Sequence, residues 1–308
     1  MSRCLRMLPF GLLCFACFLA VPASAGESPD ALTARLAADV TIHRDDWGVA
    51  HVRGTTDAAV VFGFAYAQAE DFFWQVEDTY LQCVGRYAEV LGEAGLDSDQ
   101  TNHLFQIVSR SQADYENLEP ELKDICRAYA AGINYFLAQN PDVEPRLLTH
   151  FEPWYVLAYE RNMMLGRLYG RSHASRGGQR ELMDELRAAT GSNAWAVGPS
   201  KTKNGSTMLF INPHQPWFGA GQFWEAHVKS DEGWDFSGST FFGGPFPTMG
   251  HNAHLGWAHT VNEPDVADVY RLTFDHPADP LRYRTPDGYR QADEGTDTNT
   301  VRTADGVE

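Results

Sequence analysis

Positive charge is scarce in this chain. Its 308 residues carry 24 Lys and Arg against 41 Asp and Glu, a net charge of −17, and the few cationic residues form no cluster. That excludes nucleic acid as a partner, because phosphate backbones are held by clustered Lys and Arg. Internal repeats and low-complexity tracts are absent as well, which excludes a repeat architecture. An apolar run of membrane length is also missing. The longest candidate, Met7 to Val21, is broken by Pro9 and Gly11 and falls short of the ~20 residues that a spanning helix needs. Cysteine is sparse: five in all, of which Cys4, Cys14 and Cys17 stand in that N-terminal stretch.

The stretch itself has the parts of a secretory signal. Arg3 and Arg6 precede the apolar run and Ala23-Ser24-Ala25 follows it, so residues 1–25 read as a cleaved signal peptide. A short membrane anchor is the alternative; lipid anchoring at Cys17 is disfavoured by the Cys14-Phe15-Ala16 lead-in. Removal after Ala25 takes away two arginines and no acid, moving the net charge from −17 to −19. The expected location is periplasmic or secreted, with no stable membrane anchor. In that oxidising setting Cys83 and Cys126 remain as an even pair, which fits either a disulfide or two buried thiols.

Hydrophobic residues make up 44% of the chain, enough for one large core or two domains. Val40–Arg44 and Val49–Arg53 alternate like strands around the turn-rich Asp45-Asp46-Trp47-Gly48. Thr55-Thr56-Asp57 can cap a helix running to about Leu91, where Gly92 ends it. Within it Phe62, Ala65, Ala69, Phe72, Val76 and Tyr80 recur at helical steps. Glu70 and Asp71 on this helix read better as solvated or capping carboxylates than as catalytic acids. Further helices are expected over about Pro120–Gln139 and Trp154–Leu168. Residues 171–191 are polar, without an apolar stripe, and read as a surface spacer between a helical region (26–170) and a β-rich one (192–308). In the latter, Asn193–Val197 and Thr207–Ile211 flank an Asn204-Gly205 hairpin turn, and Phe223–Lys229, Gly256–Thr260 and Asp268–Phe274 are further strand candidates. The C-terminal stretch carries no closing element, so the chain is expected to be part of a longer protein.

The change of texture falls at Gly191-Ser192-Asn193. A serine hydroxyl needs a base to become a nucleophile. A serine at the start of a chain has one in its own α-amine, whose pKa of about 7.7–8.0 suits a general base. Cutting Gly191–Ser192 creates that arrangement, and glycine leaves the preceding carbonyl open to attack.

The surroundings resemble the penicillin acylase family of N-terminal-nucleophile hydrolases. "GSNAWAVG" (191–198) is similar to the start of that family's β subunit. "INPHQPWFGAGQFWEAHV" (211–228) and "MGHNAHLGWAHTVNEPDVADVYRLTF" (249–274) are similar to its next two blocks. "WGVAHVRG" and "GFAYAQAEDFFWQVED…GRYAEVLG" are similar to the opening of its α subunit.

The resemblance implies an αββα sandwich, two stacked sheets between helical layers. It implies an α subunit from 26–170, a spacer propeptide over 171–191, and an incomplete β subunit from 192–308, giving an α/β heterodimer from one precursor. Ser192 is then the nucleophile, freed by self-cleavage at Gly191–Ser192. His214 matches a histidine that hydrogen-bonds the serine hydroxyl or amine, and the Val261 N–H matches an oxyanion-hole donor. The second donor, an asparagine, and a paired arginine match no residue before Glu308. The expected substrate is an N-acylated small molecule with a linear amide: an acyl-homoserine lactone, a lipopeptide or a β-lactam. Catalysis needs no cofactor; Asp265 and Asp268 match carboxylates that bind a structural calcium, chemically suitable oxygen ligands, or else are plain surface acids.

Other readings compete. His251, His254 and His259 have spacing that a metal could use, but Gly256-Trp257 breaks the helix this requires; His227 reads as an ordinary strand histidine. The aromatic density between Trp195 and Trp257 is mostly sheet core, with Trp217 and Phe218 and the Pro245–Pro247 stretch as candidates to line an apolar acyl pocket. From another class, a secreted carbohydrate- or peptide-binding β module, or an inactive homologue, carries the same tryptophans without catalysis.

Overall fold

The computed structural model describes residues 27–173, 191–261, 268, 270–304, 306 and 307. Helices dominate the first half. Helix α1 (Pro29–Asp39) starts at Ser28, whose hydroxyl accepts the Ala31 N–H. Strands β1 (Thr41–Arg44) and β2 (Ala50–Gly54) form a hairpin, and α2 (Asp57–Cys83) follows with Thr56 as its cap. The helix expected to reach Leu91 is interrupted: α2 stops at Cys83 and a short α3 (Ala88–Leu91) resumes before Gly92. Next come α4 (Leu96–Leu104), α5 (Ile107–Glu116) and α6 (Pro120–Gln139), the last with the bounds read from the sequence. Helix α7 (Tyr155–His173) extends past Leu168 and so takes in the first three residues assigned to the spacer. The rest of that spacer, 174–190, lies outside the described residues, as does the signal segment.

After the spacer come β3 (Gly191–Val197), β4 (Met208–His214), β5 (Phe223–Ser230), β6 (Asp235–Phe241), β7 (Met249–His251) and β8 (Gly256–Trp257). Two small hairpins, β9 (Arg282–Thr285) with β10 (Gly288–Gln291) and β11 (Arg302–Thr303) with β12 (Gly306–Val307), end the described chain. The strand expected over Asp268–Phe274 is replaced by a single bridge from Phe274 to Tyr283.

The main sheet has the order β1-β2-β5-β6-β7-β8. All its pairings are antiparallel except β2–β5, where Ala50–Gly54 runs parallel to Ala226–Ser230. Across that junction His51 and His227 stand in register, Nδ1 to Nδ1 3.2 Å, their Nε2 atoms turned to Asp45 and Asp235. One face of the sheet is apolar: Trp224, Ala226 and Val228 alternate with outward Phe223, Glu225 and His227. It packs on α2, with Phe64 edge-on to Trp224 at 4.8 Å. Helix α6 closes on the other side of α2, so near that a Cβ at Gly132 would lie 2.3 Å from the Phe62 carbonyl oxygen. The fold is thus mixed helix and sheet with one core. Among the described residues β3 and β4 pair only with each other, and no second large sheet faces the first.

Cys83 and Cys126 are both buried and unpaired with one another, which decides the cysteine alternatives in favour of free thiols. Burial pushes both thiols up, Cys126 to about 11, so neither is a ready nucleophile.

Candidate active site

Asn204-Gly205 turns the chain between β3 and β4, Gly205 taking the positive φ of 75° that the turn requires. The resulting register sets Gly191 opposite His214 and Ser192 opposite Pro213. The Ser192 hydroxyl donates to the carbonyl oxygen of Gly191, across the bond expected to be cut. The hydrogen bonds of His214 go to other partners than Ser192. Its Nε2 sits 2.7 Å from Asn212 Oδ1 and 2.9 Å from Asn193 Nδ2. Nε2 thus stands between an acceptor and a donor, accepting from Asn193 in one tautomer and donating to Asn212 in the other, while Nδ1 faces residue 191: a Cβ built there would lie 3.4 Å from it.

Ser192 lines a cavity of about 180 Å³. Helix α7 contributes Tyr159, Glu160 and Met163; the ends of β5 and β6 contribute Phe223 and Phe241; Thr248, Met249, His259 and Val261 close it. Phe223 and Phe241 are directly paired across the sheet and stacked at 4.4 Å. Thr248 is held from both sides, its carbonyl 2.8 Å from Trp257 Nε1 and 3.0 Å from His259 Nε2. The structure therefore brings Ser192 and Val261 to one cavity from positions 69 apart in sequence.

Other residues named from the sequence fall elsewhere. Trp217 and Phe218 are 85% and 84% exposed and line no part of this cavity. They occupy a loop between β4 and β5, and the apolar wall comes from Phe223 and Phe241 instead. Asp265 lies outside the described residues. Asp268 is exposed, with Tyr270 Oη at 3.4 Å. Asp268 alone does not make a calcium site, and among the described residues no three His, Cys, Asp or Glu side chains converge to hold a metal. Glu70 and Asp71 are both bound by Arg44 at 2.8 Å, and Asp71 also accepts from Trp224 Nε1 at 2.6 Å. They are structural ion pairs, distant in role from Ser192.

Sequence reasoning missed the α7 wall. Its signal was there: Tyr159 and Met163 stand one helical turn apart. Glu160, beside them, is half-buried, and burial raises its carboxyl above the usual carboxylate range.

Comparison with known proteins places the chain in a family. A family model described as penicillin amidase matches residues 39–308. The chain is similar to penicillin acylase 2 proenzyme of Pseudomonas sp. (strain SE83), 28% identical over 78% of this chain and 38% of that protein. It is also 28% identical to acyl-homoserine lactone acylase PvdQ of Pseudomonas fluorescens (strain Pf0-1), over 86% of this chain and 38% of that one. Aculeacin-A acylase of Actinoplanes utahensis matches at 26% over 90% and 39%. The chain spans about two fifths of the length of these curated relatives. The match covers far more than half of the sequence, and the chain belongs to the penicillin amidase family.

Proposed function

We propose that this chain is the N-terminal part of a secreted or periplasmic amidohydrolase that cuts itself at Gly191–Ser192 and hydrolyses the linear amide of N-acylated small molecules. The observation that carries this reading is the shared cavity of Ser192 and Val261, with the Ser192 hydroxyl against the Gly191 carbonyl. In self-cleavage, Ser192 Oγ attacks the Gly191 carbonyl carbon while a nearby base takes its proton; His214 Nδ1 is the imidazole nitrogen turned to that residue. The peptide nitrogen leaves as the α-amine of Ser192, and water releases Gly191 from the ester.

The freed amine then serves each turnover. It takes the Oγ proton as Oγ adds to the substrate carbonyl, and the Val261 N–H receives the developing oxyanion. Such a donor lowers the barrier by about 2.7–4 kcal/mol. Collapse passes the proton to the departing amine and leaves an acyl ester on Ser192, which water converts to a carboxylic acid. The relatives' names (penicillin, acyl-homoserine lactone, aculeacin) support a substrate in which an acyl chain is joined to an amine-bearing head group. The whole protein is read as an α/β heterodimer with the αββα sandwich of N-terminal-nucleophile hydrolases. Calcium at Asp265 and Asp268 takes no part in this scheme.

N-terminal sequencing and intact mass of the purified product test the reading. Two chains, the second beginning at Ser192, are expected, and Ser192→Ala stays a single chain. An intact wild-type bond would sink the acylase reading in favour of a non-catalytic binding module; normal cutting of Ser192→Ala would assign the cut to another protease.

A further inference from the structure

The walls of the Ser192 cavity are apolar where Phe223, Phe241, Met163, Met249 and Val261 stand. A hydrocarbon chain would be at home there. Glu160 breaks that pattern. It is half-buried, it faces the same cavity, and among the described residues no Lys or Arg lines the space with it. A carboxyl in that position costs stability, because it loses water with no Lys or Arg among the described lining residues to offset the loss. A residue that violates the local rule at such a cost, next to a nucleophile, is placed for a ligand rather than for the fold.

We propose that Glu160 sets the acyl specificity of this cavity: it accepts a hydrogen bond from an acyl chain bearing a hydroxyl or ammonium group, and it turns away chains ending in a carboxylate. Two aspects of the geometry support this. Glu160 and Met163 lie one turn apart on α7, so an acyl chain along the Met163 wall passes the carboxyl. Two other polar groups at the cavity are already bonded: the Thr248 carbonyl by Trp257 and His259, and the Ser192 hydroxyl to the Gly191 carbonyl. A dicarboxylic acyl chain would meet a like charge with no described Lys or Arg in the lining to offset it.

The inference rests on Ser192 marking the reacting end, so the test separates the two. Affinities are measured by calorimetry for amides of one amine, homoserine lactone: octanoyl, hydroxyoctanoyl with the hydroxyl at carbon 3 or at the far end, and glutaryl. The protein is the Ser192→Ala chain, which keeps the Gly191–Ser192 connection described above, with and without Glu160→Gln. One hydroxyoctanoyl amide is expected to bind about tenfold or more tighter than octanoyl, the worth of a hydrogen bond to a charged group. Glu160→Gln should reduce that ratio toward one and raise glutaryl binding from undetectable to measurable. Octanoyl binding, set by the apolar walls, should change little. Equal ratios in both proteins, or glutaryl binding as tight as octanoyl before substitution, would overturn the proposal. Hydrolysis of the same amides by the Ser192 protein judges the nucleophile separately. Turnover with ratios indifferent to Glu160 removes the specificity role alone, and Glu160-dependent binding without turnover removes the nucleophile reading alone.

Discussion

Two glutamates away from open solvent differ in the partners that the fold gives them. Glu77 is fully buried, yet its oxygens receive the Arg146, Leu147 and Leu148 backbone N–H groups and Arg146 Nε at 2.8–3.1 Å. Glu77→Ala leaves these donors unpaired, and we expect a loss of about 3–5 kcal/mol, read as a fall in the urea midpoint. Glu160 has the opposite balance. Burial raises its carboxyl above the value it has when unfolded, so the folded chain holds a proton that the unfolded chain has released. Stability linked to this group therefore rises as pH falls through the interval between the two values. At pH 7 the charged form is the costly one. Glu160→Gln should melt higher than wild type at pH 7, and the difference should shrink as pH is lowered through the folded-state value. A melting series across pH checks this, and a wild type more stable than the variant at pH 7 would contradict it.

At the level of elements, the local signals were legible and the tertiary ones were not. The Thr56 cap, the bounds of α6 and the Asn204-Gly205 turn are written in neighbouring residues. The break between α2 and α3 is not. It depends on Asn102, whose amide bonds the Gln82 and Cys83 carbonyls, and on Asp99, whose oxygens take the Tyr87 and Ala88 N–H groups at 2.8 Å. These partners come from α4, so a reading along the helix sees only continued periodicity. Strand β6 hid for a similar reason. Its Asp-Phe-Ser-Gly-Ser-Thr-Phe looks like a loop, but Gly238 is required because a Cβ would lie 2.1 Å from the Met249 carbonyl oxygen. For the candidate site, Ser192, His214 and Val261 came from resemblance to a family, while the α7 wall needed coordinates. Elements also carry the link between the two sides of the proposed cut. Gln68 on α2 donates to the Gly244 carbonyl and accepts from the Gly243 N–H, and Tyr80 donates to the Gly243 carbonyl. Gln68→Leu strands a buried donor and acceptor, so we expect roughly 1–3 kcal/mol lost per group and weaker retention of one piece by the other in pull-downs after cleavage.

Taken whole, the molecule is not divided where its sequence changes texture. Helices precede Ser192 and strands follow it, but β1 and β2 belong to the same sheet as β5 to β8. The two products of a cut at Gly191–Ser192 should therefore co-elute on size exclusion in native buffer and separate only in denaturant. Free fragments under native conditions would contradict this.

The parallel pairing of β2 with β5 also has a temporal consequence. Residues 50–54 must wait for residues 226–230 before their edge is covered, a long-range contact of the kind that slows folding. Closing that sheet in an uncut chain is a search within one molecule. After the cut it becomes an encounter between two molecules, so the rate of recovery from denaturation should depend on protein concentration for the cut form and not for Ser192→Ala. If the proposed cut is made, a protein that unfolds at low concentration has little means of return, and its working life is set by how slowly it opens rather than by its equilibrium stability.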